Sequence, residues 1–173
     1  MFKRKSNRVQ YFKYQGCFVY FVTICTAEKR AYFIDNQLIN ALLTRLREDA
    51  AKFSFQIFTY CFMPDHLHLL LVGNENSKLI DFIKMFKQKT GYYFKQKNGV
   101  ALWQKSYYDH VIRKQESIND IALYIFDNPV RKKLAEDFRK YPFLGSDIID
   151  MEYAYQLYTE RGRIDIRTLL ECN

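Results

Sequence analysis

The order of apolar and polar residues follows two periods along the chain, and these predict alternating strands and helices. Runs rich in β-branched and aromatic residues, bounded by glycine, proline or charge, predict four strands at 17–27, 54–63, 66–73 and 106–114. Apolar residues at helical spacing predict three helices, at 35–52, from 77 to about 93, and from 117 to about 128. The predicted order is therefore β-α-β-β-α-β-α.

Capping and helix-breaking residues set the predicted limits of these helices. N-caps are expected at Asp35, Ser77 and Ser117, because their side-chain oxygens can accept hydrogen bonds from the free amides of a first helical turn. We expect the third helix to end near Asn128, because Pro129 disfavours the helical conformation in the residue before it.

Two consecutive β-α-β units fold most simply as an α+β, ferredoxin-like β-α-β-β-α-β sandwich, in which an antiparallel sheet carries helices on one face. Only Pro64 and Asp65 separate the second and third predicted strands, which indicates a hairpin. The more polar remainder of the chain contains one further candidate helix at 147–162. With 173 residues, 49% of them hydrophobic, the chain is predicted to form a single domain over 1–173.

The net charge narrows the class of partner. A formal charge of +8 favours a polyanion, and nucleic acid in preference to a membrane surface. The sequence has no apolar run of the about 18 residues that would span a bilayer and no early stretch resembling a signal peptide. We therefore expect a cytoplasmic protein without a membrane partner.

Two of the three histidines lie two residues apart in the third predicted strand. Because strand side chains alternate between faces, His66 and His68 share one face, about 6.5 to 7 Å apart along the strand. Neutral imidazole is the commonest metal ligand in proteins, so the pair is a candidate metal site, although two hydrogen-bonded core histidines would give the same pattern. A third ligand from His110 would suit zinc, whereas Asn128 or Asp109 would suit magnesium or manganese.

A candidate nucleophile lies in "DIALYIFDNPVRKK" (120–133). Tyr124 and Asn128 are four residues apart, so they share one face of the third helix. A tyrosine beside a metal-polarised phosphate is a chemically sound nucleophile for phosphoryl transfer. With 14 tyrosines in the chain, spacing alone leaves open whether this one is catalytic.

Several segments together resemble a known family. The sequence "MPDHLHLLL", then "WQKSYYDHVIRKQESI" and "ALYIFDNPVRKK", preceded by "GCFVYFVTICTAEKR", resembles the HUH-class single-strand DNA transposases, in particular the REP-associated tyrosine transposases. The resemblance runs from about residue 8 to 140. The remainder, 141–173, is a C-terminal extension of unknown role.

The resemblance implies a chemistry and a set of site residues. It implies a metal-dependent single-stranded DNA endonuclease and strand transferase that acts on hairpin DNA, with Tyr124 as nucleophile on a C-terminal catalytic helix. The expected intermediate is a 5′-phosphotyrosine, so strands can be rejoined without ATP. A divalent ion, Mg²⁺ or Mn²⁺, is expected on His66, His68 and Asn128, while the residues expected to line the site are Asp65, His110 and Arg113.

Basic residues along the chain are candidates for DNA contact. They lie near the N-terminus, on the second helix and just after the proposed nucleophile, and each cluster could equally be a solvated surface. The candidates are Arg8, Lys84, Lys87, Arg131, Lys132 and Lys133.

Two other functions are consistent with the same residues. One is a zinc hydrolase that uses His66, His68 and His110, and the other is a non-catalytic nucleic-acid-binding module. The oligomeric state is left open between monomer and dimer, with monomer preferred.

Overall fold

The computed structural model describes residues 13–113 and 117–161. The strands in this part of the chain are β1 (Val19–Cys25), β2 (Phe55–Met63), β3 (His66–Gly73), β4 (Tyr108–Ile112) and β5 (Leu144–Gly145). The helices are α1 (Asn36–Lys52), α2 (Leu79–Asn98), α3 (Ile118–Arg131) and α4 (Met151–Arg161). The predicted order of strands and helices is confirmed, and α4 lies within the stretch 147–162 expected to be helical.

The strands form one antiparallel sheet in the order β4-β1-β3-β2-β5. Its first four strands have the order of a ferredoxin-like sandwich, so the predicted α+β class is confirmed. The expected hairpin joins β2 to β3, with Met63 opposite His66. Strand β1 lies between β3 and β4, which places Thr23 opposite His68 and Cys25 opposite His66.

Helices cover both faces of the sheet, whereas the prediction placed helices on one face only. The first core contains residues of α1 and α2 packed on Leu67, Leu69 and Leu71 of β3. The second contains residues of α3 packed on Phe21 and Leu70. Because alternate residues of a strand point to opposite faces, α3 covers the face that carries His68. This arrangement brings the third helix over the paired histidines.

The predicted start of α2 is wrong. Its N-cap position is Lys78, whose side chain makes no capping hydrogen bond. The buried Ser77 hydroxyl instead donates to the Ser54 carbonyl, at 2.6 Å, and accepts from the Asn74 amide, at 2.7 Å. The helix also continues past Tyr93 to Asn98, where Gly99 adopts a φ of 72°. A left-handed residue of this kind ends a helix, and glycine adopts it without steric cost.

The predicted end of α3 is also wrong, because the helix continues through Pro129 to Arg131. Proline lacks an amide proton, so the helix loses one hydrogen bond at this position. The following bonds remain: the Lys132 amide donates to the Asn128 carbonyl at 3.0 Å, and the Leu134 amide to the Pro129 carbonyl at 2.8 Å. The predicted N-cap of this helix is confirmed, since Ser117 Oγ accepts from the Asp120 amide at 3.2 Å.

Candidate metal and nucleophile site

Two imidazoles at the start of β3 turn their Nε2 atoms toward each other, 3.0 Å apart. Each ring is held at its other nitrogen. His66 Nδ1 donates to the Asp65 carboxylate at 2.6 Å, and His68 Nδ1 lies 2.8 Å from the Thr23 hydroxyl. Partners of this kind fix the ring orientation and tautomer of metal-binding histidines. The structure therefore places His66, His68 and Asp65 together, and it adds Thr23, which the sequence did not indicate.

Burial keeps both imidazoles neutral. It holds the pKa of His68 well below its ordinary value, and the charges of His66, Arg131 and Lys29 act in the same direction. Burial also lowers the pKa of His66, although the hydrogen bond to Asp65 opposes this effect. Because a metal binds the unprotonated imidazole, both rings are in the ligand form at neutral pH.

The geometry of this pair fits a divalent ion. Two neighbouring ligands of an octahedral ion, each at about 2.1 Å, are separated by about 3 Å. This is the separation of the two Nε2 atoms. Within residues 13–113 and 117–161, no three side chains of His, Cys, Asp or Glu come together closely enough to hold a metal ion. The remaining ligands would therefore be oxygens of another kind, from an amide, water or a phosphate.

The predicted third ligand, Asn128, is buried on α3 one helical turn after Tyr124. Its amide nitrogen donates to the Tyr124 carbonyl at 2.9 Å, and its Oδ1 accepts from Arg131 Nη2 at 3.3 Å. Its side chain thus contacts its own helix in this structure. Asn128 as a metal ligand stays a prediction.

The candidate zinc site with His110 does not form. His110 lies opposite Phe21 on β4, so β1 separates it from β3 and its backbone is about 10 Å sideways from that of His68. The zinc hydrolase built on these three histidines is therefore wrong. Asp109, the other candidate ligand, lies opposite Val22, which belongs to the core on the other face of the sheet.

Tyr124 lies beside the paired histidines. Its ring centroid is 6.2 Å from that of His68 and 6.2 Å from that of Phe21, and Phe21 stacks on His68 at 5.5 Å. The guanidinium carbon of Arg131 lies 4.5 Å from the centre of the Tyr124 ring. The sequence placed Tyr124 and the histidines in separate motifs, and the fold brings them into one cluster.

Cationic side chains surround this cluster. Arg131 and Lys132, at the end of α3, are exposed, and their charges help to lower the histidine pKa values. Lys133 follows them and is also exposed.

Lys29, in the loop after β1, lies 3.6 Å from Asp65. Burial lowers the pKa of Lys29, but its contacts with Cys25 and Asp65 outweigh this effect and raise it. Lys29 was not among the residues predicted from the sequence. The sequence signal at this position is a pair of basic residues, Lys29 and Arg30, shortly after β1.

Other predicted residues lie away from the site. Lys84 and Lys87 are on α2, which packs on the opposite face of the sheet. Lys87 Nζ donates to the carbonyls of Gln104 at 2.8 Å and Lys105 at 3.1 Å, so it supports the loop before β4.

Arg113 follows Ile112, the last residue of β4, which pairs with Val19. Val19 is at the far end of β1, about 20 Å from the β1 position opposite His66. Arg113 therefore does not line the site, and Arg8 lies outside the described residues.

Comparisons with known proteins agree with the fold and assign the chain to a family. Residues 15–128 match the family model described as "Transposase IS200 like". The chain belongs to this family of transposases, which confirms the membership expected from its motifs. No helix in the described part of the chain combines the length and apolar content that crossing a bilayer requires.

Two proteins of Haemophilus influenzae are similar in sequence. One, named as a REP-associated tyrosine transposase, is 23% identical over 138 residues, covering 72% of this chain and 77% of that protein. The second, which has no assigned function, is 26% identical over 159 residues, covering 73% of this chain and 88% of that protein. A solved structure of a REP-associated tyrosine transposase bound to a REP hairpin superposes with a TM-score of 0.64 at 16% identity, over 92% of this chain and 88% of that one. This structural likeness shows a shared fold.

Proposed function

We propose that this transposase is a metal-dependent single-stranded DNA endonuclease and strand transferase that acts on hairpin DNA through a covalent link to Tyr124. The observation that supports the proposal most directly is the position of the Tyr124 ring, 6.2 Å from the His68 ring on the covered face of the sheet. A phenol beside a pair of neutral imidazoles suits metal-assisted phosphoryl transfer, because the imidazoles can hold a cation and the phenol can act as the nucleophile.

His66 and His68 are the residues that would hold the divalent ion, with Asn128 as the proposed third ligand. When bound, Mg²⁺ or Mn²⁺ supplies positive charge that polarises the scissile phosphate. The chain's own residues prepare the site for it. Asp65 and Thr23 hold the two rings with their Nε2 atoms converging, and burial keeps the rings unprotonated.

The covalent step exchanges one phosphate ester for another. The Tyr124 oxygen attacks the phosphorus and loses its proton, the bond from phosphorus to the 3′-oxygen breaks, and that oxygen gains a proton. The products are a 5′-phosphotyrosine and a free 3′-hydroxyl. The reverse attack by a 3′-hydroxyl restores a phosphodiester, so the bond energy is retained and no nucleotide is consumed.

The proposed DNA surface follows from the charges around the site. Lys29, Arg131 and Lys132 are close enough to influence the histidine pKa values, so a phosphate near the histidines also lies near these cations. Phosphate oxygens pair with lysine and arginine side chains in most protein–DNA complexes. Hairpin DNA as the substrate is proposed from the family and from the related transposase whose structure holds a REP hairpin.

The test is covalent capture of the DNA strand. Wild-type protein is incubated with hairpin-containing single-stranded DNA and Mn²⁺ or Mg²⁺, and the products are separated under denaturing conditions. We expect a protein–DNA band with 3′-labelled DNA and none with 5′-labelled DNA, because the strand that begins at the cleaved phosphate stays attached. EDTA should abolish the band, and added Mn²⁺ should restore it.

Two tyrosine variants make the test specific. Tyr124→Phe should remove the adduct while leaving DNA binding in place. Tyr108→Phe is the matched control, because the Tyr108 ring also contacts Phe21, at 6.2 Å. Removing the Tyr108 hydroxyl should leave the adduct unchanged. An adduct in Tyr124→Phe would contradict the proposed nucleophile. Salt-sensitive binding without any wild-type adduct would favour the non-catalytic nucleic-acid-binding module.

A further inference from the structure

Helix α4 contacts α3 through a buried carboxylate next to the site. The Tyr158 hydroxyl of α4 donates to Asp127 Oδ1 of α3 at 2.5 Å. Asp127 is only 1% exposed, and it precedes Asn128 in the chain. Its other oxygen lies 3.9 Å from Arg131 Nε, one helical turn further along α3. A buried carboxylate is stable only where donors and positive charge face it. The Tyr158 hydroxyl donates to Oδ1, and Arg131 places its positive charge near Oδ2 at ion-pair distance, longer than a hydrogen bond.

Arg131 connects this carboxylate to the proposed nucleophile. Its guanidinium carbon lies 4.5 Å from the centre of the Tyr124 ring, and its Nη2 donates to Asn128 Oδ1 at 3.3 Å. A guanidinium over an aromatic face is attracted to the ring electrons, and its charge stabilises negative charge that develops on a phenol oxygen. The side chain is 32% exposed, so without a fixed partner it has several conformations available.

Packing fixes α4 in the position that this contact needs. The ring of Phe138 stacks on Phe126 of α3 at 5.2 Å and contacts Tyr155 and Tyr158 of α4 at 5.9 and 5.4 Å. The phenol of Tyr158 therefore approaches Asp127 from a helix that is itself packed against the nucleophile helix.

We infer that α4 is a positioning element for the nucleophile. Tyr158 orients Asp127, Asp127 holds Arg131, and Arg131 in turn sits against both the Tyr124 ring and the Asn128 side chain. The catalytic part of this inference rests on the proposed function. The inference also gives a role to the C-terminal extension, for which the sequence indicated none. Tyr158 and Asp127 are positioning residues, since they act on the nucleophile through Arg131.

The first test removes the Tyr158 hydroxyl alone. With Tyr158→Phe, we expect the single-turnover rate of adduct formation at saturating DNA to fall about tenfold, while the dissociation constant for DNA stays within about twofold, because misplacing a catalytic group slows chemistry more than binding. Tyr155→Phe is the matched control on the same helix, since its ring also packs on Phe138. Asp127→Asn should slow the reaction as Tyr158→Phe does, because it removes the charge that faces Arg131.

A second measurement does not depend on cleavage. We expect NMR relaxation of the Arg131 Nε–H signal in DNA-free protein to show a restricted side chain in wild type and Tyr155→Phe, and a mobile one in Tyr158→Phe. An unchanged Arg131 signal in Tyr158→Phe would overturn the inference, as would an equal loss of rate in Tyr155→Phe. If wild type forms no adduct but the Arg131 signal responds as expected, the proposed function fails and the positioning contact stands.

Discussion

His68 is the residue on which the chemistry at this site depends most. Its Nδ1 lies against Thr23 and its Nε2 faces the Nε2 of His66 at 3.0 Å. Two bare imidazole nitrogens at this distance repel each other unless a proton or a cation lies between them. With a proton between the two Nε2 atoms, His68 Nδ1 is bare and Thr23 donates to it. With a cation between them, His68 Nδ1 carries a proton and Thr23 accepts it in a hydrogen bond. The threonine hydroxyl can rotate, so it can serve either state without moving the rings.

Part of this site could be predicted from single residues, and part could not. The alternation of β3 placed His66 and His68 on one face, because that pattern depends only on neighbouring positions. Thr23 and Lys29 depend on the register between β1 and β3, which the sequence alone does not fix. His110 and Arg113 were assigned through a motif on β4, and the pairing of that strand places them away from the histidines.

The buried phenol of Tyr20 provides a residue-scale prediction. This side chain is fully buried, and its hydroxyl has no hydrogen-bond partner within the described residues. Burial, followed by the charges of Tyr14 and Asp109, raises the pKa of Tyr20 to about 12. An unfolded tyrosine titrates near pH 10. The folded state therefore keeps the proton where the unfolded state releases it, and stability from this group is present below pH 10 and lost as the pH rises toward 12.

The variant that tests this is Tyr20→Phe. At pH 8 its free energy of unfolding should equal or exceed that of wild type by up to about 1 kcal/mol, because a buried hydroxyl without a partner is removed. Between pH 8 and pH 10.5 the advantage of the variant should grow. Urea unfolding at both pH values measures the difference. A variant that is less stable at pH 8, or whose advantage shrinks at pH 10.5, would contradict the prediction.

At the scale of elements, the helices and strands could be predicted, but the faces they cover could not. Hydrophobic period gives an element its type because the pattern is local. Which face of the sheet α3 covers depends on where the chain leaves β4, a strand at the edge of the sheet. The prediction for Pro129 failed for a related reason. Tertiary packing of the turn before Pro129, with Ile125 and Phe126 fully buried, outweighs the single hydrogen bond that proline removes.

The N-cap of α3 provides a prediction for an element. Ser117 Oγ accepts from the Asp120 amide, and this helix carries both Tyr124 and Asn128. Ser117→Ala should lower the free energy of unfolding by about 1 kcal/mol, because the first turn loses its side-chain acceptor. Hydrogen exchange should show faster exchange at the Asp120 amide. Ser117→Asp is the control and should retain most of the stability, because its carboxylate can accept the same hydrogen bond. Unchanged Asp120 exchange in Ser117→Ala would show that the cap does not stabilise the helix.

At the scale of the whole molecule, net charge predicted a polyanionic partner but not the surface that binds it. The sequence contains basic clusters on α2 and at the end of α3, and composition does not indicate which of them binds the polyanion. The structure separates them, because the α3 cluster and Lys29 adjoin the histidines, while α2 packs on the opposite face. Lys87 makes the difference clearest, since its ammonium group supports a loop through backbone carbonyls.

Two lysines of equal charge distinguish these surfaces. Lys132 and Lys84 are both exposed, and only Lys132 lies near the histidines. Lys132→Gln should weaken binding of single-stranded DNA several-fold, and the slope of log K against log salt should become shallower by about 0.7, because one phosphate contact is lost. Lys84→Gln should change neither the affinity nor the slope. Fluorescence anisotropy across a salt series measures both quantities. Equal effects from the two variants would mean that DNA also binds along α2, and the single-surface interpretation would then be wrong.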